Sequence, residues 1–454
     1  MNKEAMLREE IKKYRDLYIN RTPKSWEALK AASKFMPGGD TRGASFFYPY
    51  PLFLDNGHGC RVTDVDGNEY IDFHNCYTAS IHGHAYPPIV EAVTRVVNRF
   101  ATALGGPTSL LAEWAETICR RVDSVEKIRF CTSGAEAGMM AIRTARAFTG
   151  RDKILKIEGG FNGLYDPIFS PINAPGLPKS VQADQLTVPF NSKEVAEKAI
   201  SENRNELACV IAEGVMGVAG QIPPKEGYLE HLQKMCQDNG VLFVLDEVMT
   251  FRLDYGGLQT LKGINPDLTM FGKIIGGGFP VGAWGGRRDI MELFDPTKGQ
   301  GPLALTTTAR VLHSGTFAAN PIVATAGKIM LDDLTIKEIA RLNQLGDTLA
   351  AGIQTIFNKL KIKAQITGIG SMRSLHFTPE PVVDFKAAQT GRKELMHIVH
   401  LGLLKRGIYL PSRGLFALST PMTEREIHTA IGAVEEVMNE LKSLIERVWP
   451  ELMN

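Results

Sequence analysis

Asp246 and Lys273 each follow a short apolar run, as side chains at the end of a buried strand do. Asp246 follows residues 240–245, and Lys273 ends residues 267–273 just before Gly276-Gly277-Gly278. Ligands of open α/β sheets bind at the carboxyl ends of strands. A lysine beside several glycines also has room to bind a ligand covalently. Taken singly, Asp246 could equally cap the next turn, and Lys273 could be a solvated surface lysine.

Two further segments place polar groups before a predicted helix. Residues 131–137, which include Ser133 and Glu136, lead into a helix predicted over Gly138–Thr149. Free amides at a helix start bind phosphate, although the same two side chains also fit an ordinary capping box. Residues 313–317 are rich in hydroxyl groups, which alone is typical of any polar loop.

The elements that position these residues are those of an α/β protein. From about residue 76 to 330, helical patterns alternate with short apolar runs such as Ala208–Ala212 and Val241–Leu245. Such runs are typical of buried parallel strands. We therefore predict one large α/β domain over residues 76–330.

The two ends of the chain are predicted to form a second, smaller α+β domain. Residues 331–454 contain long amphipathic helices, and the last of them begins with a capping box at Thr423. Residues 1–75 contain a predicted helix over 2–21 and a hairpin around Asp66-Gly67. Because no low-complexity linker separates these parts, we expect the N-terminal segment to pack with the C-terminal domain.

Composition limits the class of protein. The 454 residues are 44% hydrophobic and 22% charged, which is typical of a large folded core. Lys and Arg number 51 against 50 Asp and Glu, and no long basic run favours a nucleic-acid partner. No signal-peptide core and no apolar stretch of about 18 residues is present, so we expect a cytoplasmic protein without a membrane partner. The six cysteines lack Cys-x-x-Cys spacing, so they are expected to be reduced, mostly buried and free of metal.

The four polar segments together identify a family. They are Ser133-Gly134-Ala135-Glu136-Ala137, Asp246-Glu247-Val248, Gly272-Lys273-Ile274-Ile275-Gly276-Gly277-Gly278 and Ser314-Gly315-Thr316-Phe317. In this order and at these separations they resemble the class III pyridoxal-phosphate aminotransferases of fold type I, and the likeness covers nearly the whole chain. It implies an α/β fold with a large cofactor-binding domain around a mostly parallel sheet and a smaller α+β domain.

Other segments resemble particular branches of that class. Met36-Pro37-Gly38-Gly39 and His82-Gly83-His84 are similar to the branch that holds glutamate-1-semialdehyde aminomutase. Within that branch, three segments resemble the β-phenylalanine (aromatic β-amino acid) aminotransferases more closely. They are Asp40-Thr41-Arg42 leading to Phe46-Phe47-Tyr48, Met249-Thr250-Phe251-Arg252-Leu253, and Tyr409-Leu410-Pro411-Ser412-Arg413-Gly414.

The resemblance implies pyridoxal 5'-phosphate as cofactor and gives roles to individual residues. Lys273 would form the Schiff base and move the proton, and Asp246 would pair with the pyridinium nitrogen. The other cofactor-binding positions are Ser133, Gly134 and Ala135 at the phosphate, Phe161 stacked on the ring, Glu213 near the ring hydroxyl, and Thr316. Thr316 would reach the phosphate of a neighbouring subunit, which implies a homodimer with shared active sites.

Three positions depart from the family pattern. Relatives usually have threonine where this chain has Ala135, so one hydroxyl contact to the phosphate is missing. The usual aromatic-His-Gly is Phe161-Asn162-Gly163 here, and the usual Glu-Pro is Glu213-Gly214. Stacking needs only an aromatic ring, so Phe161 can still serve.

The resemblance further implies that Arg42 and Arg413 face the substrate, although either could instead be a surface arginine in a salt bridge. The nearby aromatic residues Phe46, Tyr48 and Tyr77 would supply an apolar wall for a substrate side chain. The predicted activity is transfer of an amino group from an amino acid, in particular an aromatic β-amino acid, to a 2-oxo acid such as 2-oxoglutarate or pyruvate. The alternatives are a glutamate-1-semialdehyde 2,1-aminomutase, an amino-acid epimerase on the same scaffold, and a non-catalytic protein that has kept the fold. Retention of both Lys273 and Asp246 argues against the last alternative.

Overall fold

The computed structural model describes residues 2–100, 104–169, 174–298 and 311–454. The strands in these ranges are β1 Leu54–His58, β2 Arg61–Asp64, β3 Glu69–Asp72, β4 Lys127–Cys131, β5 Lys153–Ile157, β6 Gln185–Val188, β7 Leu207–Glu213, β8 Leu242–Asp246, β9 Leu268–Gly272, β10 Gly282–Gly286, β11 Gln365–Ile369, β12 Met372–His376, β13 Ile408–Tyr409 and β14 Leu415–Ala417.

The helices follow the same chain order. They are α1 Lys3–Arg21, α2 Pro23–Ala32, the single turn α3 Asn75–Thr78, α4 Pro87–Phe100, α5 Ser109–Arg121, α6 Gly134–Thr149, α7 Lys179–Gln182, α8 Lys193–Asn203, α9 Tyr228–Asn239, α10 Leu258–Lys262, α11 Arg288–Met291, α12 Pro321–Asp333, α13 Ile336–Leu360, α14 Phe385–Gln389, α15 Lys393–Lys405 and α16 Glu424–Val448. None of these described helices is long and apolar enough to cross a membrane.

The chain divides into two compact units. The larger unit consists of Pro87–Ala340 with Val383–Phe385. The smaller unit consists of the N-terminal part up to Tyr86 together with Arg341–Val382 and Lys386–Asn454. The main segment of the larger unit therefore spans residues 87–340, whereas the sequence pattern predicted a large domain over residues 76–330.

The larger unit contains a seven-stranded sheet, in the order β4-β10-β9-β8-β7-β5-β6. Strands β6, β5, β7, β8 and β9 pair in parallel, whereas β10 pairs antiparallel with both β9 and β4. The prediction of a mostly parallel central sheet is thus confirmed. Since β10 reverses direction between β9 and β4, the carboxyl ends of β4, β5, β7, β8 and β9 lie along one edge.

Strands β7 and β8 lie in the centre of this sheet, where both faces are covered. All residues of both strands are buried, which explains their nearly continuous apolar sequences. The strands expected at Ala208–Ala212 and Val241–Leu245 are confirmed to within one residue at each end. Their register places Glu213 opposite Asp246 at the carboxyl edge.

Two small sheets, β1-β2-β3-β13 and β11-β12-β14, belong to the smaller unit. The predicted hairpin is present, since β2 and β3 pair antiparallel around Asp66-Gly67. Gly67 has a φ of 90°, a left-handed value that glycine adopts at no steric cost. Asp64 fixes the turn by accepting hydrogen bonds from the Asp66 and Asn68 amides. The parallel pairing of β13 with β3 joins the C-terminal part of the chain to the N-terminal part.

The helix starts follow from their caps. Thr423 and Glu426 form the predicted capping box at α16. At α6 the prediction of a start at Gly138 is wrong, because Ser133 caps the chain and the helix begins at Gly134. Only half of a capping box is present there: Glu136 accepts from the Thr132 amide at 2.8 Å instead of from Ser133.

The six cysteines are free thiols. Four of them are buried, as expected for small apolar residues, whereas Cys119 is half-buried and Cys76 is exposed. Burial raises the pKa of Cys60, Cys119, Cys131, Cys209 and Cys236. These five thiols are therefore poor nucleophiles at neutral pH.

Two buried histidines of the smaller unit predict a loss of stability in acid. Burial is the main cause that lowers the pKa of His400 to about 3 and that of His74 to about 4. Unfolded histidine titrates near 6.5, so the stability linked to these neutral rings is complete above about pH 6.5 and is lost as the pH falls towards 4 and 3. The linkage amounts to about 1.4 kcal/mol per group for each pH unit, or about 2 kcal/mol for His400 at pH 5.

Chemical denaturation of the protein at pH 7.5 and pH 5 measures this effect. His400→Phe should flatten the pH dependence of stability, because phenylalanine does not titrate. An aromatic replacement suits this position, since the His400 ring already packs edge-on against Phe47, with ring centroids 4.5 Å apart. His428→Gln, on the exposed face of α16, is the matched control and should retain the wild-type slope. An unchanged slope in His400→Phe would show that this ring is not the source.

Candidate active site

Asp246 ends β8 and is 4% exposed. Its Oδ1 accepts a hydrogen bond from the Val248 amide at 2.9 Å, so it does cap the following turn. Its Oδ2 accepts one from Asn162 Nδ2, also at 2.9 Å. Burial raises the pKa of Asp246, and the two hydrogen bonds and the charge of Lys273 offset part of that rise. Each carboxylate oxygen has a second lone pair with which to accept from a further donor.

Glu213 is the neighbour of Asp246 across the strand pair. Its Oε1 accepts from the Phe161 amide at 2.8 Å, and its Oε2 accepts from the Gly217 amide at 2.9 Å. Burial first, and then the charge of Asp246, raise the pKa of Glu213 to about 8. Glu213 is therefore mostly protonated at neutral pH, so the two adjacent carboxyls do not both carry a negative charge.

Lys273 directly follows β9 and is half-buried. Its φ of 49° is left-handed, a conformation that costs a non-glycine residue of the order of 1–3 kcal/mol and is found mainly at functional sites. Its charge lowers the pKa of both Asp246 and Glu213. The structure thus brings the lysine and the two carboxyls together at the carboxyl edge of the sheet, and Lys273 is not a fully solvated surface lysine.

The start of α6 offers two backbone donors at the same edge. The Ser133 hydroxyl accepts from the Glu136 amide at 3.1 Å, but within the described residues the amides of Gly134 and Ala135 have no acceptor. A Cβ built on Gly272 would be 3.6 Å from the Gly134 Cα, so the helix start lies beside the end of β9. Free amides at the positive end of a helix form a site for an anion such as phosphate.

The turn after β5 places an aromatic ring beside this helix start. Gly163 has a φ of 116°, and a Cβ added there would be 2.7 Å from the Ala135 Cα, so only glycine allows the turn to approach α6. The Phe161 ring is 46% exposed. A half-exposed aromatic face is thus available beside the anion site.

Thr316 lies in an exposed turn before α12, a helix whose start is capped by Asn320. The backbone of this turn is held by a 3.1 Å hydrogen bond from the Ala318 amide to the Gly315 carbonyl. Because Thr316 is exposed, its side chain lies on the surface of the larger unit.

Arg42, Arg413 and Tyr77 belong to the smaller unit, where Tyr77 contacts His74 and the charges of both arginines act on it. The His74 ring stacks on Tyr409, with centroids 5.1 Å apart, and meets the Tyr77 ring edge-on at 4.3 Å. Both arginines are exposed, and both lower the pKa of His74 in addition to burial, whereas Asp72 raises it. The neutral His74 accepts at Nδ1 from the Tyr77 amide, at 3.3 Å. The charges of the two arginines therefore act on the same histidine of one aromatic cluster.

The backbone around Tyr77 is unusual. The four consecutive residues of α3 have left-handed φ values between 47° and 76°. Asp72 holds the entrance to this turn by accepting hydrogen bonds from the His74 and Asn75 amides at 2.8 and 2.9 Å. Such strain is maintained only where the surroundings fix it, and it is concentrated at functional sites.

The mostly parallel sheet, with a lysine, a carboxylate and an anion site at its carboxyl edge, defines a fold type I pyridoxal-phosphate enzyme. Residues 47–410 match the family model described as aminotransferase class-III, so the chain belongs to the class III aminotransferase family. The family prediction made from the sequence is confirmed.

Three relatives illustrate the range of the family. A glutamate-1-semialdehyde 2,1-aminomutase of Methanothermobacter thermautotrophicus is 38% identical over 431 residues, which cover 92% of this chain and 100% of that protein. The structure of a β-phenylalanine aminotransferase from Variovorax paradoxus is similar with a TM-score of 0.89 and 33% identity, covering 96% of this chain and 99% of that one. A transaminase solved with PLP bound has a TM-score of 0.86 and 34% identity, covering 93% and 98%.

Pyridoxal phosphate is the cofactor that class membership and the PLP-bound relative support. The described residues fit it. The helix start supplies unpartnered amides for a phosphate, Asp246 has lone pairs for a ring N–H, and Phe161 offers a face to a planar ring. Ala135 contributes only its backbone amide to this set, since it lacks a side-chain donor.

Asn162 is the site residue whose contact the sequence did not indicate. It was recognised as a departure from the family histidine, but its hydrogen bond to Asp246 joins residues 84 positions apart. Its side chain is 4% exposed. The only signal in the sequence is its place beside Phe161.

Proposed function

We propose that this aminotransferase moves an amino group from an aromatic β-amino acid to a 2-oxo acid such as 2-oxoglutarate or pyruvate. The observation that carries the proposal is the pair of exposed arginines, Arg42 and Arg413, whose charges both lower the pKa of His74. A guanidinium can hold a substrate carboxylate through two parallel hydrogen bonds. The similarity to a β-phenylalanine aminotransferase supports the same substrate class.

Exposed aromatic side chains in the smaller unit support the proposal that the substrate carries an apolar side chain. Phe46 and Tyr48 are exposed, and Tyr77 stands against His74. Such surface suits an aromatic side chain better than the short polar chain of glutamate-1-semialdehyde.

In this proposal the larger unit performs the chemistry. When bound, pyridoxal phosphate supplies an aldehyde that binds amines and a ring that stabilises a carbanion. Lys273 Nζ would hold the cofactor and, once free, would take the proton from the substrate carbon that bears nitrogen. Asp246 would accept a hydrogen bond from the ring nitrogen and thereby keep that nitrogen protonated.

The remaining residues bind and orient. The amides of Gly134 and Ala135, with the Ser133 hydroxyl, would hold the phosphate, and Phe161 would stack on the ring. Glu213, being mostly protonated at neutral pH, can exchange a hydrogen bond with the ring hydroxyl without adding charge beside Asp246.

A glutamate-1-semialdehyde aminomutase is the second candidate, because relatives with that name are up to 38% identical over almost the whole chain. The two activities differ in whether the keto compound leaves the site before the amino group returns. A panel of α- and β-amino donors with both acceptors, followed by chiral analysis of the products, tests the proposal. Transfer from β-phenylalanine is expected; conversion of the semialdehyde to 5-aminolevulinate, with no transfer from any β-amino acid, would establish the rival.

We also propose a homodimer in which Thr316 of one subunit contacts the phosphate held by the other. Thr316→Ala and Lys273→Ala homodimers should both be weakly active or inactive. Random mixing of the two chains should restore roughly a quarter of the wild-type activity, since half of the dimers would then carry one intact site. A fully active monomer in sedimentation at assay concentration would contradict the shared site.

A further inference from the structure

Asn162 lies where relatives have histidine, and it is directed at Asp246. The Asn162 Nδ2 donates to Asp246 Oδ2 at 2.9 Å, and both side chains are 4% exposed. Because an ionised carboxylate only accepts, the amide must present its NH₂ group to Asp246. The contact is therefore a buried, charge-assisted hydrogen bond.

The backbone around Asn162 is fixed on two sides. A Cβ added to Gly138 of α6 would be 2.5 Å from the Asn162 carbonyl oxygen, so the missing side chain lets the turn pack on the helix. On the other side, Glu213 accepts from the adjacent Phe161 amide. With its backbone held at both ends, the short Asn162 side chain has little freedom to turn away.

Asp246 is thereby held by two donors of different origin. The Val248 amide holds Oδ1 and the Asn162 amide holds Oδ2, which together oppose rotation of the carboxylate. The hydrogen bond from Asn162 is also the largest of the effects that lower the pKa of Asp246, and it opposes the rise that burial causes.

We propose that Asn162 is a positioning residue that orients the Asp246 carboxylate towards the ring nitrogen of the cofactor. This inference rests on the proposed role of Asp246. A carboxamide stays neutral at all working pH values, whereas an imidazole can become a cation and compete for the carboxylate charge. The asparagine thus orients Asp246 without placing a competing positive charge beside it.

The test compares the affinities of the apoprotein for pyridoxal phosphate and for 1-deazapyridoxal phosphate, in which CH replaces the ring nitrogen. The wild type should bind the deaza analogue about 10- to 100-fold more weakly, as expected for loss of a hydrogen bond to a charged group. Asn162→Leu removes the donor and keeps the branched shape of the side chain. Its preference for the ring nitrogen should fall to a few-fold, and Asn162→His should restore part of it.

The controls separate positioning from structure. Asn191→Ala removes another amide of the larger unit, one that donates to the Pro223 and Val383 carbonyls, and should retain the wild-type preference. If Asn162→Leu weakens both cofactors equally, the residue is merely structural and the inference is wrong; Asn162→Ala gives the same comparison if the leucine variant does not fold. If the wild type itself shows no preference and Asp246→Asn changes nothing, the proposed role of Asp246 fails instead.

Discussion

Replacing Lys273 with alanine is expected to abolish turnover while the fold is retained. The side chain is only half-buried, and its left-handed backbone disfavours alanine and lysine alike. What is lost is the amine that holds the cofactor and transfers the substrate proton. Loss of proton transfer alone should lower kcat about 10²- to 10⁴-fold.

Borohydride reduction followed by peptide mapping checks this assignment independently of turnover. In the wild type the pyridoxyl group should be found on Lys273, and in Lys273→Ala no lysine should be labelled. Lys262→Ala, a half-buried lysine at the end of α10, is the matched control and should leave labelling and kcat unchanged. A label on any other lysine would overturn the role given to Lys273.

Replacing Arg413 or Arg42 with glutamine is expected to weaken the use of substrates that carry a carboxylate. Loss of a charge-assisted hydrogen bond should lower kcat/KM by about 1.5 to 3 kcal/mol, or roughly 10- to 150-fold. Amine donors without a carboxylate should be affected much less. Lysine at either position should restore only part of the loss, because an ammonium group lacks the planar fork.

The comparison of two donors in each variant is the measurement. Arg392→Gln is a suitable control, because this arginine of the smaller unit forms an ion pair with Glu451 at 2.8 Å and belongs to no part of the candidate site. It should leave both donors unchanged. An equal loss for the β-amino acid and for the carboxylate-free amine would show that neither Arg42 nor Arg413 holds the carboxylate.

The charge state of His74 affects how strongly the two arginine variants should change the use of carboxylate donors. With its pKa lowered to about 4, the ring carries no charge at neutral pH, and Asp72 lies among the groups that raise that pKa. The positive charge around the cluster then comes from Arg42 and Arg413. A variant with both Arg42 and Arg413 replaced should therefore lose more of its preference for donors that carry a carboxylate than either single variant.

Local patterns in the sequence determined much of the fold. The apolar runs of β7 and β8, the Asp66-Gly67 hairpin and the Thr423 cap each depend on residues within a few positions of one another, and the structure has them where they were expected. Helix α6 begins four residues before its predicted start, because the Ser133 side chain caps the chain there and the helix starts at Gly134.

The candidate cofactor site was accessible from the sequence for a related reason. Asp246 and Lys273 follow directly on apolar strands, so the residue order alone places them at strand ends. Parallel strands then bring those ends to one edge of a sheet. Spacing alone indicated which residues were candidates, and the resemblance to the family then assigned each of them a role.

Tertiary structure decided which side chains act on each other. The adjacency of Glu213 and Asp246 depends on the register of β7 against β8, and the Asn162 contact depends on a turn packed against Gly138. The pairing of β13 with β3 brings the segment before Arg413 beside the segment before His74, and the charges of Arg413 and Arg42 both act on that histidine. Residue types and local periodicity carry no information about such partners, since burial and charge at each site are set by chain segments that are distant in sequence.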